Sequence, residues 1–437
     1  MSLRLFLAAI AALAAVIPVS AAAQLSRPEQ AMIRTIDAEQ ERTVGLLANW
    51  VNQNSGSLNR AGVEAVGRMV RPELEALGFK VDWLDMKAAG RAGHLVATHK
   101  GNGRGKRLLL IAHLDTVFEP HSPFQRWTRR GDAGEGPGAG DDKGGVAVIV
   151  AALRAMKAAG TLKNADIIVF LTGDEEDAGS PIEVTRGALI EAGKWADVAL
   201  DFEGLAVEDG RDMGSTARRS SDSWTVTVTA RSGHSSGIFR PGTGYGAIYE
   251  LARIIDSFRR ELPEAKLTYN VGLAAGGETL ELSGDKIRAS ATGKTNIIAP
   301  AAVARGDLRA LSQEQIDRAK ARMKAIVERS LAGTKAELQF DEGGYPPMAP
   351  TEGNRAILAR LNAVNRDMGL AEMGKLDPEK RGAGDISFVA QDVDSLAGLG
   401  PDSSGSHAPG ETVDIPSIFK QAKRAAILMS RLAKERR

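Results

Sequence analysis

The chain reads as an α/β protein: a three-layer domain with a mainly parallel central sheet, interrupted by a smaller inserted α+β domain of the ferredoxin-like kind. Three observations predict this. Continuous apolar runs at Leu108 to Ala112 and Ile167 to Leu171 suit strands covered by helices on both faces, the pattern of a parallel sheet. From Trp224 to Ala230 the sequence WTVTVTA alternates strictly, which marks a strand with one solvated face. The length, 437 residues, exceeds what a single hydrophobic core usually serves.

Residues 1–23 read as a secretory signal peptide. Arg4 precedes an apolar run from Leu5 to Val19, and the small residues Ala21 and Ala23 stand before Gln24. The run is too short and wrongly flanked for a spanning helix. Export is the expectation, to the periplasm in a bacterium with two membranes and otherwise to the medium. Loss of Arg4 would leave the mature chain formally neutral.

The first part of the main domain is expected over residues 24–219. Val63, Val66, Val70, Leu74 and Leu77 form a helical stripe, and Gly78 is placed to end it. The strand-like runs HLVATH, KRLLLIAH, DIIVFLTG and DVALDF then alternate with helices that begin near Gly145 and after Pro181. The inserted domain is expected over residues 220–332. Its alternating strand is followed by a helix with Ile248, Leu251, Ile255, Phe258 and Leu262 on one stripe, by strands in LTYNVGL and near Ala302 to Ala310, and by a helix from Gln313 to about Ser330. Ser312 and Gln315 form a capping-box pair at the start of that helix. Strand, helix, strands, helix is the order of a split βαβ unit. Residues 333–437 return to the main domain and end in a helix from Pro416 to Glu435, whose cations suit a solvated face and the C-terminal end of a helix dipole.

Composition removes several functions. A hydrophobic share of 43% argues against disorder, and 56 basic against 55 acidic side chains argue against a nucleic-acid binder. The absence of cysteine excludes disulfides, thiolate zinc sites, iron–sulfur clusters and cysteine nucleophiles. Any metal must rest on His, Asp and Glu.

Such residues cluster where an open α/β sheet binds ligands, at the carboxyl ends of its parallel strands. His113 and Asp115 follow KRLLLIA, Glu175 and Glu176 follow IIVFLTG, and Glu203 follows VALDF. In extended chain His113 and Asp115 share a face, so Asp115 is suited to fix the tautomer of a metal-binding imidazole. Glu175 and Glu176 would point apart, one to a metal and one free as a general base. The glycine-rich segment 134–145, GEGPGAGDDKGG, lacks the phosphate-loop spacing, and its aspartates would repel phosphate. Asp141 in such a turn could instead approach two cations. Oxygen and imidazole ligands without sulfur suit zinc, cobalt or manganese.

Together these segments resemble the dinuclear zinc metallopeptidases that include glutamate carboxypeptidase and aminoacylase-1. The resemblance rests on HLDTV at 113–117, GPGAGDDKGG at 136–145, GDEE at 173–176, LDFEG at 200–204, SGHSSG at 232–237 and GSHAPGE at 405–411. It implies a catalytic α/β domain interrupted by a lid that forms a homodimer contact. It also implies two divalent ions, zinc or else cobalt or manganese, with His113 and Glu203 on one, Glu176 and His407 on the other, and Asp141 bridging. Asp201 is a rival to Glu203, since the same strand face would carry both. Glu175 would be the general base and acid that activates a metal-bridging water, Asp115 the residue orienting His113, and His234 an oxyanion donor reaching into the partner subunit's site. Lys294 falls where relatives place an arginine near the substrate carboxylate, and Lys294 and Tyr345 are the two candidate substrate-binding residues. Where acid-specific carboxypeptidases carry an arginine before a proline, this chain has Tyr345 before Pro346, which argues against glutamate-type specificity. The implied activity is that of an exported exopeptidase, carboxypeptidase-like or dipeptidase-like, cleaving a peptide or an N-acyl amino acid.

Two other functions compete. Gly233 to Gly237, GHSSG, matches a nucleophile elbow, with Ser235 as nucleophile and His407 as base. Gly237, Pro241, Gly242 and Gly244 follow where that motif needs a helix, and the preceding strand alternates like an exposed one. A non-catalytic metal-binding protein of the same fold is the other alternative, and the complete ligand set argues against it. His94 and His99 read as structural, and His121 as a solvent-facing loop residue.

Overall fold

The computed structural model describes residues 25–437, so the expected signal peptide lies outside the described residues. No described helix is long and apolar enough to cross a membrane. Helices α1 (Arg27–Ala38), α2 (Gln40–Asn52) and α3 (Arg60–Glu75) precede strands β1 (Lys80–Asp85) and β2 (Gly93–His99). The stripe from Val63 to Leu74 is buried. Gly78 takes φ +99° just past the end of α3, a conformation open to glycine without a Cβ penalty.

Strand β3 (Leu108–His113) leads through a loop to α4 (Lys143–Ala158), β4 (Ile167–Thr172), α5 (Ile182–Trp195) and β5 (Val198–Asp201). The six-stranded sheet has the order β1-β2-β4-β3-β5 and, last, β10 (Ser395–Leu396). Strands β4, β3, β5 and β10 pair in parallel, while β2 meets both β1 and β4 antiparallel. Every residue of β3 is buried. Because side chains alternate across a strand, Leu108, Leu110 and Ala112 join the core of α4 and the C-terminal helix α9 (Ile415–Leu432), whereas Leu109 and Ile111 pack with Leu189 and Ala192 of α5. This gives the three layers.

The inserted domain contains β6 (Asp222–Ala230), α6 (Ala247–Glu261), β7 (Leu273–Gly277), β8 (Ala301–Arg309), α7 (Gln313–Glu328) and β9 (Thr334–Phe340). Strand β8 lies between β7 and β6, and β6 lies between β8 and β9, all antiparallel. In chain order the four strands are therefore arranged 4-1-3-2, the split βαβ arrangement. Trp224, Val226 and Val228 point into a core with Leu251, Ile254, Phe258 and Met323. Two expectations need correction. The domain extends past residue 332, because β9 pairs with β6 from Trp224 opposite Phe340 to Ala230 opposite Thr334. Ile248 lies outside the buried stripe and is 49% exposed, its place inside being taken by Ala247 and Ile254.

The two crossings between the domains run side by side. Ser221 and Tyr345 exchange backbone hydrogen bonds at 3.0 Å each, and Arg218 and Met348 do so at 2.9 and 3.0 Å. Helix α8 (Glu352–Asp367) follows the return.

Candidate metal centre and active site

Four loops converge at the carboxyl ends of β3, β4 and β5. His113 is the last residue of β3, opposite Thr172 at the end of β4. The strand stops there, short of Asp115, yet the bend that follows still brings the pair together: His113 Nδ1 lies 3.3 Å from Asp115 Oδ1 and 3.2 Å from its carbonyl oxygen. Asp115 also fixes the acidic turn after β4. Its carboxylate accepts the backbone N–H groups of Glu175 and Glu176 at 3.0 and 3.1 Å, and the Ser57 hydroxyl at 2.6 Å.

Asp141 stands between two imidazoles. Its Oδ1 is 3.1 Å from His113 Nε2, its Oδ2 is 3.2 Å from His407 Nε2, and His407 Nε2 is 3.1 Å from Glu176 Oε2. Ligand atoms of His113, Asp141 and Glu176 lie within 4.8 Å of one another. Imidazole nitrogens and carboxylate oxygens converging this closely form a donor set that fits a divalent ion. Burial opposes charge on His113, but hydrogen bonds to Asp115 and Asp141 outweigh it and hold the imidazole well above its ordinary pKa. His407 is raised to about 11 by Asp141 and Glu176. Asp141 is pulled below the carboxylate range by the two histidines, against the effect of burial. Burial, then the charge of Glu203, pushes Glu175 well above its usual value.

Glu203 is held differently. Arg218 Nη2 donates to its Oε2 at 2.7 Å, while Nη1 donates to Asp201 Oδ2 at 3.1 Å. The same guanidinium donates to the carbonyls of Gly382 and Ala383 at 2.7 and 2.8 Å. One arginine thus ties both rival acids at the end of β5.

Several supports were not assigned from sequence. Glu411, four residues after His407, is 1% exposed and accepts the N–H groups of Gly138, Gly140 and Asp141 at 3.1, 2.8 and 3.0 Å. It therefore binds the His407 loop to the Asp141 loop. Glycine is needed at 140, since a Cβ there would lie 2.3 Å from that of Ser403. Asp142 Oδ2 accepts the His113 backbone N–H at 3.3 Å. The motif around Glu411 was visible in the sequence, but nothing in the sequence marked Arg218.

Other expected residues are placed elsewhere. The Tyr345 hydroxyl is engaged within the chain: it donates to the Glu175 carbonyl at 2.7 Å and receives a hydrogen bond from Arg186 at 3.3 Å. Lys294 and His234 are exposed in the inserted domain, and neither touches the cluster. His234 Nδ1 accepts the Ser236 N–H at 3.2 Å, so in the neutral ring the proton sits on Nε2. Ser235 and His407 are not brought together, because His407 Nε2 is engaged by Asp141 and Glu176, and only a short turn, Ser235–Gly237, follows His234. This removes the serine-hydrolase pairing. His94 is structural as expected, bonded to the Thr185 carbonyl at 2.8 Å and the Gly173 N–H at 3.2 Å.

Known proteins share this fold. Carboxypeptidase G2 of Pseudomonas sp. (strain RS-16) is 28% identical over 436 residues, covering 96% of this chain and 96% of that protein. The fold matches aminopeptidase PepT from Bacillus cereus with TM-score 0.71 and 19% identity, over 90% of this chain and 99% of that one. It also matches the YXEP protein of Bacillus subtilis, described as a dinuclear metal binding peptidase from the M20 family, with TM-score 0.62 and 14% identity over 91% and 99% of the two chains. A family model spans residues 109–431, so the chain belongs to Peptidase family M20/M25/M40 and is a hydrolase acting on amide bonds.

Proposed function

We propose that the protein is an exported, dimeric exopeptidase or N-acyl-amino-acid hydrolase that works with two divalent ions, zinc in the first instance and cobalt or manganese as alternatives. The observation that carries this reading is the placement of Asp141, whose two carboxylate oxygens each face a different histidine. His113 and Glu203 would hold one ion, His407 and Glu176 the other, and Asp141 both.

Bound there, the ions would supply Lewis acidity to polarise the amide carbonyl and acidify water. The chain's own groups do the rest. Glu175 stands on a turn whose backbone is fixed by Asp115 and Tyr345; it takes the proton of the attacking water and delivers it to the amine as the C–N bond breaks. Asp115 accepts from His113 Nδ1, leaving Nε2 as the ligating nitrogen. His234 of a second copy, with its proton on Nε2, would donate to the developing oxyanion, and Lys294 would add positive charge near the substrate. The apolar leader at residues 5–19 supports export.

Dialysis against a strong chelator, followed by assay on dipeptides and N-acyl amino acids, tests the reading. Activity should vanish and return with zinc, cobalt or manganese. Activity that survives complete metal removal would refute it, and an active monomer would refute the shared site.

A further inference from the structure

We propose that Arg381 is the specificity-determining residue that receives the free carboxylate of the substrate. The proposal rests on the reading of this cluster as an amide-hydrolysing site. Two arginines converge on the turn after β5, and they differ in what they touch. Arg218 is saturated by Asp201, Glu203 and the carbonyls of Gly382 and Ala383. Arg381, one residue before Gly382, makes no hydrogen bond or ion pair with any described residue. Its Nη2 is nonetheless buried without a partner, a condition native structures seldom tolerate without a functional reason. That nitrogen points toward the Glu203 turn, 3.8 Å from where a Cβ on Gly204 would stand.

The setting explains how a cation without a dedicated partner is kept there. Arg381 lies in the field of Asp141, Asp201 and Glu203, which attract it, and of Arg218, which repels it. Glu203 and Asp201 are each engaged by Arg218, and Asp141 by the two histidines. Arg381 Nη2 therefore remains without a partner beside the Glu203 turn, and a planar guanidinium matches a carboxylate in two parallel hydrogen bonds. The other candidate substrate-binding groups are placed otherwise: the Tyr345 hydroxyl is bonded to the Glu175 carbonyl, and Lys294 is exposed in the inserted domain. A lysine at 381 would supply charge without the fork.

The test uses the metal-loaded full-length protein, an N-acetyl amino acid and its C-terminal amide as substrates, and the corresponding free amino acid and amino-acid amide as binding probes. In the wild type, KM should favour the carboxylate over the amide by roughly 100-fold. Arg381→Gln should raise KM for the carboxylate by about that factor, leave the amide unchanged, and keep kcat and metal content near wild type. Arg381→Lys should fall between. Calorimetry should show the amino acid losing affinity in the variant and its amide keeping it. Equal losses on both substrates, or a fall in bound metal, would overturn the proposal and make Arg381 a structural support of the Glu203 turn. Hydrolysis of neither substrate by the wild type would refute the N-acyl-amino-acid reading of the site instead, and the calorimetric comparison would still decide the role of Arg381.

Discussion

The hydroxyl of Tyr345 donates to the backbone carbonyl of Glu175 at 2.7 Å. Tyr345 belongs to the segment returning from the inserted domain, and Glu175 to the turn after β4. Arg186 completes the support: it donates to Tyr345, to Asp174 Oδ1 at 2.6 Å and to Asp385 Oδ1 at 2.7 Å, and Arg186 and both aspartates are buried. The crossing between the domains thus props the turn that carries the proposed base.

Tyr345→Phe should therefore lower kcat more than it raises KM. Loss of the hydroxyl leaves the part-buried Glu175 carbonyl and an Arg186 N–H short of a partner, at a cost of about 1–2 kcal/mol in stability. Urea unfolding of the metal-loaded protein would measure that cost, and steady-state kinetics should show kcat reduced about tenfold. An unchanged kcat with a raised KM would restore Tyr345 to a substrate contact.

Glu411 offers a separate test of the loop architecture. Its carboxylate binds three N–H groups of the Asp141 loop, and burial raises it to about 7 despite those bonds. Glu411→Gln keeps the shape and loses the charged acceptor. Metal affinity should fall about 10- to 100-fold, as for other residues that hold ligands in place. Competition with a chromophoric chelator reads this directly, and unchanged affinity would show that the loop holds Asp141 without Glu411.

Metal binding should release protons. In the metal-free chain His407 is raised to about 11 and His113 well above its ordinary value, so both rings are protonated at pH 7. A cation must displace those protons, which makes affinity rise with pH. The sign for the metal-free fold is opposite: stabilisation from a charged His407 is complete below its unfolded value near 6.5 and is lost as pH rises through about 11. Calorimetric metal titrations in buffers of different ionisation enthalpy should show roughly one proton released per histidine. A heat independent of buffer would contradict this.

Local pattern carried the sequence reading as far as strands, their ends and the polar residues placed there. His113, the acidic pair and Glu203 were legible because polar residues follow continuous apolar runs there, and the carboxyl ends of parallel strands gather in one place. Partners distant in sequence were less legible. Glu411 meets Gly140 across 271 positions, and no periodicity announces such a contact. The strand Thr334–Phe340 shows the same limit: its alternation reveals its faces but not that its neighbour is β6. Arg218 looks like an ordinary loop residue until the two crossings are seen side by side, and the sequence marks Tyr345 for its place before Pro346 but not for its bond to the Glu175 carbonyl.

The central claim is that a cluster of His113, Asp141, Glu176, Glu203 and His407 binds two ions while Glu175 moves the proton. Metal content and turnover measured together on wild type, Glu175→Gln and His407→Ala test it most directly. The account predicts two ions per chain in the wild type and in Glu175→Gln, with turnover only in the wild type, and reduced occupancy in His407→Ala. Turnover by Glu175→Gln close to wild type, or equal metal loss in both variants, would contradict the division between base and ligands.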